Sequence, residues 1–186
     1  MGVYEEIMNK IINGDFQEVK RGIEIRPVNI NQTNSLGQTF LMAACERGRT
    51  DIINFLIDTG ADLEMRDAYD NTVLHYAVKV RQIQALEVLI SRGSNVNRKN
   101  MYGLTPLNFA AYMRDEWSDG VATLLQTKGK NIIEVNQRNN EGFTPLHHAC
   151  THGHKDTVHL LLNHIGIDVN ASDRDGNTPL HLAVLR

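Results

Sequence analysis

Apolar and polar positions follow a pattern along this chain that repeats about every 33 residues. Each copy contains an Ala-rich run, a polar turn and a second run rich in Ile, Val and Leu. In the second run the apolar residues recur at helical spacing, as in Ile52, Ile53 and Leu56. The pattern therefore predicts pairs of short helices. Because one such pair cannot bury its apolar faces alone, we expect the copies to stack side by side.

A threonine precedes the first predicted helix in five copies of the pattern. Thr39, Thr72 and Thr105 are spaced by 33 residues, and Thr144 and Thr178 follow after steps of 39 and 34. A threonine at a helix start can cap free backbone N–H groups, and the proline that follows it in three copies lacks an N–H that would go unsatisfied. A period of this length indicates one structural unit repeated several times.

Two copies depart from the pattern. In the second copy Asp70 and Arg81 stand where other copies have glycine, which predicts an irregular hairpin and helix end. The third copy is six residues longer. Counting from Ala110 to Leu125 against the first copy places three extra residues in the turn between its helices, and the other three near Lys128-Gly129-Lys130.

The repeated motif resembles the ankyrin repeat. The most specific stretch spans residues 142–150, which read GFTPLHHAC, and continues through residues 153–162, which read GHKDTVHLLL. The resemblance covers the whole chain and implies an all-α solenoid of helix-turn-helix units joined by β-hairpin-like loops. It implies one domain over residues 1–186, with an N-terminal capping repeat at 2–33, repeats at 34–66, 67–99, 100–138 and 139–172, and the start of a further repeat at 173–186.

The two ends of the chain differ in character. Val3, Ile7 and Ile11 form one apolar stripe with Glu5 and Glu6 facing water, as a capping repeat requires. Residues 183–186 fall inside a first helix with no second helix to cover it. We therefore expect the natural protein to continue with further repeats.

Composition favours an interaction domain inside the cell. The net charge of −3 is spread without an acidic or basic block, which argues against a nucleic-acid partner. No apolar run is long enough to span a membrane, and Glu5 and Glu6 interrupt any signal peptide. Cys45 and Cys150 share one register position three repeats apart, so we expect two buried, reduced thiols in a cytoplasmic monomer. The nucleus and the cytosol of a host cell are the alternative locations.

Residues capable of chemistry are few. His147, His148, His152 and His154 lie close together in the sequence, and His148 and His152 have the four-residue spacing that metals use on a helix. No suitably placed carboxylate or thiol completes a ligand set, so we expect no metal and no cofactor. No phosphate-binding loop or catalytic triad is present either, and we expect no enzyme activity.

Candidate binding residues come from the resemblance. Ankyrin-like proteins contact partners through hairpin tips and the exposed side of the first helices, which form a concave groove. Six of the tip residues carried over by register are large and apolar or aromatic, and exposed apolar rows mark contact sites: Leu36, Tyr69, Met101, Tyr102, Leu104 and Phe143. Tyr112 and Met113 extend this row inward, so the second and third copies are the predicted hot spot. The alternative is that these side chains pack on neighbouring hairpins.

Trp117 stands in the lengthened turn of the third copy, between acidic residues. It is either a lid over the adjacent helix ends or a second anchor for a partner, and the high cost of an exposed indole favours the lid.

The sequence thus predicts a scaffold or adaptor module that binds another protein without catalysis. Two alternatives stay open. One is a targeting or regulatory domain of a longer enzyme or host-directed effector. The other is a modification substrate, because Leu162 and Asp168-Val169-Asn170 look like a site that asparaginyl hydroxylases accept in ankyrin repeats, although Asn170 also suits a hairpin-capping role.

Overall fold

The structure is a computed structural model that describes residues 2–128 and 132–185. Within these ranges it contains eleven α-helices joined by turns and hairpin-like loops, so the predicted all-α repeat fold is confirmed. The helices are α1 (Val3–Asn13), α2 (Phe16–Glu24), α3 (Phe40–Glu46), α4 (Thr50–Asp58), α5 (Val73–Lys79), α6 (Ile83–Ser91), α7 (Pro106–Tyr112), α8 (Ser118–Leu125), α9 (Pro145–His152), α10 (Lys155–Leu162) and α11 (Pro179–Val184).

The chain divides into two compact units, Met1–Ser94 and Asn95–Arg186. In the first unit α1, α3 and α5 pack in one layer and α2, α4 and α6 in a second layer. In the second unit α7, α9 and α11 form one layer, and α8 packs against α10. The predicted single domain and its repeat boundaries stay predictions.

Reciprocal capping starts the first helix of every repeat after the N-terminal one. Thr39 Oγ1 accepts a hydrogen bond from the backbone N–H of Met42 at 3.2 Å, and the N–H of Thr39 lies 3.5 Å from Met42 Sδ. The same capping box forms where the third helical residue is histidine or asparagine. Any side chain with an acceptor atom there completes the cap, which explains the tolerance of this position.

The apolar stripe of α1 differs from the predicted one by one residue. Ile7 and Ile11 are fully buried, but Val3 is exposed and Tyr4 takes its place. The Tyr4 hydroxyl donates to the carbonyl of Gln38 at 2.7 Å, and its ring stacks on Phe40 with the centroids 4.8 Å apart. The prediction for Val3 is wrong, because residues 4, 7 and 11 share the buried face of the helix.

The backbone of the second repeat keeps the regular geometry despite the missing glycines. Asp70 and Arg81 adopt φ values of 58° and 56°, close to the 74° of Gly37 and the 63° of Gly48 at the equivalent positions. The prediction of an irregular hairpin and helix end is therefore wrong for the backbone geometry. The repeat stays regular and holds two non-glycine residues in a left-handed conformation that L-residues rarely adopt.

The extra residues of the third repeat are distributed differently from the prediction. Leu124, fourteen residues after Ala110, is fully buried in the way that Leu56 is, twelve residues after Ala44, whereas Leu125 is half-buried. Two extra residues therefore lie in the turn between α7 and α8, and four lie between α8 and the next hairpin. Of the predicted location, residues 129 and 130 lie outside the described residues.

Candidate interaction surface

Each hairpin-like loop is built around one asparagine or aspartate side chain. In the loop of the third repeat, Asn100 Oδ1 accepts from the backbone N–H groups of Tyr102 and Leu104 at 3.0 and 3.1 Å. The N–H of Asn100 donates to the carbonyl of Leu104 at 3.0 Å and closes the loop. Equivalent bonds form at four other positions, Asn34, Asp67, Asn139 and Asp173. These bonds hold the loop backbone in one conformation while the tip side chains face solvent.

Five of the predicted binding residues are exposed. Each has between 48% and 55% of its surface accessible: Leu36 and Tyr69 in the first unit, and Met101, Tyr102 and Tyr112 in the second unit. Met113 and Phe143 are half-buried. An apolar side chain half exposed on a hydrogen-bonded loop is available for contact without rearrangement.

Leu104 and Trp117 are buried, with 7% and 8% of their surface accessible. Leu104 occupies the last loop position, where the backbone turns back into the repeat, so the prediction of an exposed tip is wrong for this residue. Trp117 precedes α8 and packs so closely over Gly120 that a Cβ at that glycine would overlap the indole ring. This is the geometry of the lid alternative.

The lengthened turn also contacts the start of α10. Glu116 Oε1 accepts from the backbone N–H of Thr157 at 2.6 Å, and His154 Nε2 lies 3.3 Å from the carbonyl oxygen of Arg114. A carboxylate on the free N–H groups of a helix N-terminus is favourable. Residue spacing does not predict this role of Glu116; its only signal in the sequence is an acidic residue inside an insertion.

Tyr112 belongs to a chain of ring contacts in the second unit. Its ring meets His148 and His152 edge-on with centroid distances of 5.3 and 5.6 Å. Phe143 lies 5.3 Å from His148 and stacks on His147 at 5.6 Å. His148 therefore links the exposed Tyr112 to Phe143 beside the hairpin, a role that its position in the sequence does not predict.

The two buried histidines of this chain of rings are neutral at physiological pH. Burial lowers the pKa of His148 to about 3, and the neighbouring His152 and His147 act in the same direction. Burial also lowers the pKa of His147. Its Nδ1 accepts from the Thr144 N–H at 3.2 Å while Nε2 donates to the Asn177 carbonyl at 3.1 Å, so both nitrogens are satisfied in the neutral ring.

The two histidines at four-residue spacing, His148 and His152, do not converge on a metal position. His148 Nε2 lies 3.4 Å from the side-chain nitrogen of Asn139, and His152 Nδ1 faces the backbone carbonyl of His148. In the part of the chain that the structure describes, no group of three or more His, Cys, Asp or Glu side chains is placed to bind a metal ion.

The two cysteines are free. Cys45 is fully buried, and burial raises the pKa of its thiol. Cys150 is only half-buried, so the prediction of two buried thiols is wrong for this residue.

Comparison with known families decides what this arrangement belongs to. A family profile described as ankyrin repeats (3 copies) matches residues 7–100 and 107–186. The chain belongs to the ankyrin repeat family. Ankyrin repeats generally mediate protein–protein interaction and are typically non-catalytic.

Individual relatives agree with this assignment. A putative ankyrin repeat protein of fowlpox virus is 31% identical over 148 residues, which is 79% of this chain and 42% of the relative. The human SH3 and multiple ankyrin repeat domains protein 2 is 26% identical over 97% of this chain and 9% of its own length. The chain thus spans less than half the length of these curated relatives.

Solved structures share the fold. An ankyrin repeat domain from Acinetobacter baumannii matches with a TM-score of 0.85 and 29% identity, over 97% of this chain and 91% of that one. A chain in the complex of a predatory endopeptidase from Bdellovibrio bacteriovorus with an immunity protein matches with a TM-score of 0.82 and 25% identity, over 96% of this chain and 90% of that one. Among the described residues, no helix has the length and apolar character needed to cross a membrane.

Proposed function

We propose that this chain is a non-catalytic scaffold or adaptor module that binds another protein through hairpin tips and first-helix ends. The observation that carries the proposal is the exposure of Met101, Tyr102 and Tyr112, which we call the apolar patch of the second unit. All three are about half exposed, and the loop bearing the first two is fixed by hydrogen bonds. A fixed loop loses little conformational entropy on binding.

The chemistry of the patch suggests the kind of partner. Tyr and Met are enriched at the centres of protein interfaces, and the buried His148 ring behind Tyr112 is neutral because burial lowers its pKa. Glu141, Arg174 and Asp175 are exposed on the other hairpins of the same unit. We therefore expect a protein surface with an apolar centre and charged residues of both signs around it. Leu36 and Tyr69 are a second, separate candidate in the first unit.

Proteomic capture with a matched control tests this proposal. The bait is the full chain, compared with a Met101→Ala/Tyr102→Ala/Tyr112→Ala variant. The control is Leu162→Ala/Ile165→Ala, which removes exposed apolar side chains at and beyond the end of α10. Exposed side chains contribute within about 0.5 kcal/mol each to stability, so all three proteins should remain folded.

We expect a protein retained by the parent and by the control to be lost from the triple variant, with purified components showing at least a tenfold weaker Kd. A partner retained equally by all three proteins would reject the patch. If only a Leu36→Ala/Tyr69→Ala variant lost it, the contact would move to the first unit.

The relatives are longer than this chain, so in them the repeats are one part of a larger protein. A targeting or regulatory domain of a longer enzyme or effector is therefore the alternative function. It uses the same surface, and the two are distinguished by whether the captured protein is modified by the full-length product. A cytoplasmic location and a monomeric state are also part of the proposal, and fractionation and light scattering test them.

A further inference from the structure

Two histidine rings lie side by side where α9 meets α10. His152 ends α9, and His154 is the N-cap residue of α10. Their ring centroids are 5.4 Å apart and the ring planes differ by 31°. This is a different pair from the one that sequence spacing had suggested.

Backbone carbonyls fix the proton on each ring. His152 Nδ1 lies 2.9 Å from the carbonyl oxygen of His148, and His154 Nε2 lies 3.3 Å from that of Arg114. A carbonyl oxygen only accepts, so each of these nitrogens must carry the hydrogen. In the neutral rings the lone pairs therefore belong to His152 Nε2 and His154 Nδ1. Histidine ligands in metal sites are oriented in the same way, with the second nitrogen donating to a carbonyl.

His154 Nδ1 is buried and has no hydrogen-bond partner among the described residues. An N-cap side chain usually accepts from the backbone N–H three residues on. Here that N–H, on Thr157, is taken by Glu116 at 2.6 Å. The Thr157 hydroxyl is also buried without a partner, so it does not satisfy the ring nitrogen either. A buried lone pair left in this way can accept from a bound water or bind a metal ion.

The ring spacing matches that of two imidazoles bound to one metal ion. With metal–nitrogen bonds of about 2.0–2.1 Å and a tetrahedral angle, the centres of two coordinating imidazoles lie about 5 Å apart. The observed centroid distance of 5.4 Å is close to this value. We propose that His152 Nε2 and His154 Nδ1 together bind a divalent transition-metal ion of the zinc and copper class.

The chemistry of the donors sets the class and strength of the site. Imidazole nitrogens suit Zn²⁺, Cu²⁺ and Ni²⁺ and not Mg²⁺ or Ca²⁺, which take oxygen ligands. Two protein ligands leave the remaining coordination positions to water or to a group of a bound partner. Binding is therefore weaker than at a closed structural zinc site. The site borders the apolar patch, because the Tyr112 ring meets His152 edge-on at 5.6 Å.

Copper provides the direct test. Untagged full-length chain, treated with chelator and dialysed, is titrated with Cu²⁺ and followed by electron paramagnetic resonance. We expect one ion per chain with coupling to two nitrogens. The His152→Gln variant should bind at least tenfold more weakly, while His159→Gln, which removes an exposed histidine of α10, should bind like the parent. Equal affinity in parent and His152→Gln would overturn the proposal.

A second measurement needs no variant, so the buried His154 stays unchanged. Long-range ¹H–¹⁵N spectra of the histidine rings report the tautomers and their response to Zn²⁺. We expect the Nδ1–H form for His152 and the Nε2–H form for His154, with zinc shifting His152 Nε2 and His154 Nδ1. The opposite tautomers, or shifts confined to other histidines, would show that this pair is not the site.

Discussion

The second and third repeats depart from the family pattern in opposite ways. The second keeps the standard length but places Asp70 and Arg81 at left-handed positions. The third keeps glycine in its hairpin, at Gly103, but adds residues and ends α7 at Met113 with an extended backbone, φ −56° and ψ 140°. In the second repeat the backbone keeps the regular geometry and two residues are strained. In the third repeat the backbone itself departs from the regular geometry.

The difference shows what repeat stacking enforces. The hairpin of the second repeat packs against that of the first repeat, where the Ala68 N–H donates to the Leu36 carbonyl at 2.9 Å. The backbone of the second repeat keeps its shape even without glycine, at a cost of about 1–2 kcal/mol for a side chain such as that of Arg81. The inserted turn of the third repeat is free of that constraint. It makes contacts of its own, through Trp117 on Gly120 and Glu116 on Thr157.

Removing the lid should have the largest effect on stability. Trp117→Ala deletes a nearly buried indole, and such truncations cost about 3–5 kcal/mol. We expect the urea concentration at the unfolding midpoint to fall accordingly. Protection from hydrogen exchange should be lost first in the second unit. Hydrogen exchange followed by mass spectrometry locates the change.

Tyr102→Ala is the matched control for that prediction. Tyr102 is 55% exposed, so its truncation should change stability by no more than about 0.5 kcal/mol. If Trp117→Ala cost as little as Tyr102→Ala, the indole would not act as a lid, and the anchor alternative would regain support.

Relieving the strain in the second repeat should have a smaller, opposite effect. Arg81→Gly removes the left-handed penalty of a long side chain, adds the entropy cost of glycine and loses the contacts of that side chain, for a net gain below about 1 kcal/mol. Asp70→Gly should gain less, because aspartate tolerates this conformation better and its exposed ion pair with Arg66, at 3.5 Å, is lost. Urea unfolding of each variant measures the gain.

Arg47→Gly provides the matched control, since Arg47 is a helix-end arginine with an ordinary φ of −96°. Glycine there should destabilise by about 0.5–1 kcal/mol. If Arg47→Gly and Arg81→Gly changed stability in the same direction, conformational strain at Arg81 would not be the cause.

The sequence predicts the repeats well because each one contains its own start signal and period. The threonine caps, the helix pairs and the exposure of Tyr69, Met101, Tyr102 and Tyr112 all follow from register. Within α1, the same periodicity did not distinguish Val3 from Tyr4. Tyr4 is the buried residue because it contacts Gln38 and Phe40, which are distant in the sequence.

Register also failed where the chain leaves the repeat. The turn between α7 and α8 has two extra residues where three are predicted. The difference arises because Leu124 and Leu125 are both leucines, and only packing shows which is buried. The contacts of Glu116 with Thr157 and of His152 with His154 join residues whose relation depends on the turn geometry. No spacing rule for a regular helix predicts such pairs.

The smallest expected effect concerns the pH dependence of stability, and it compares His147 with Asn108. The two residues occupy the same position in the fourth and third repeats, and both donate to backbone carbonyls of the hairpin that follows. Only His147 can gain a proton. Protonation would place a hydrogen on Nδ1, which now accepts the Thr144 N–H.

His147→Asn should therefore weaken the acid sensitivity of the protein without changing its fold. Burial lowers the pKa of His147, while Asp173 raises it and Arg138 lowers it by smaller amounts. The unfolded chain, with a histidine pKa of about 6.5, then binds more protons than the folded chain. Stability from this group is fully present above about pH 6.5 and is lost as the pH falls below that value. Urea unfolding at pH 7.5 and at pH 5.5 should give a smaller difference for His147→Asn than for the parent. The reciprocal Asn108→His variant should give a larger difference, and identical differences in all three proteins would mean that this position does not titrate on unfolding.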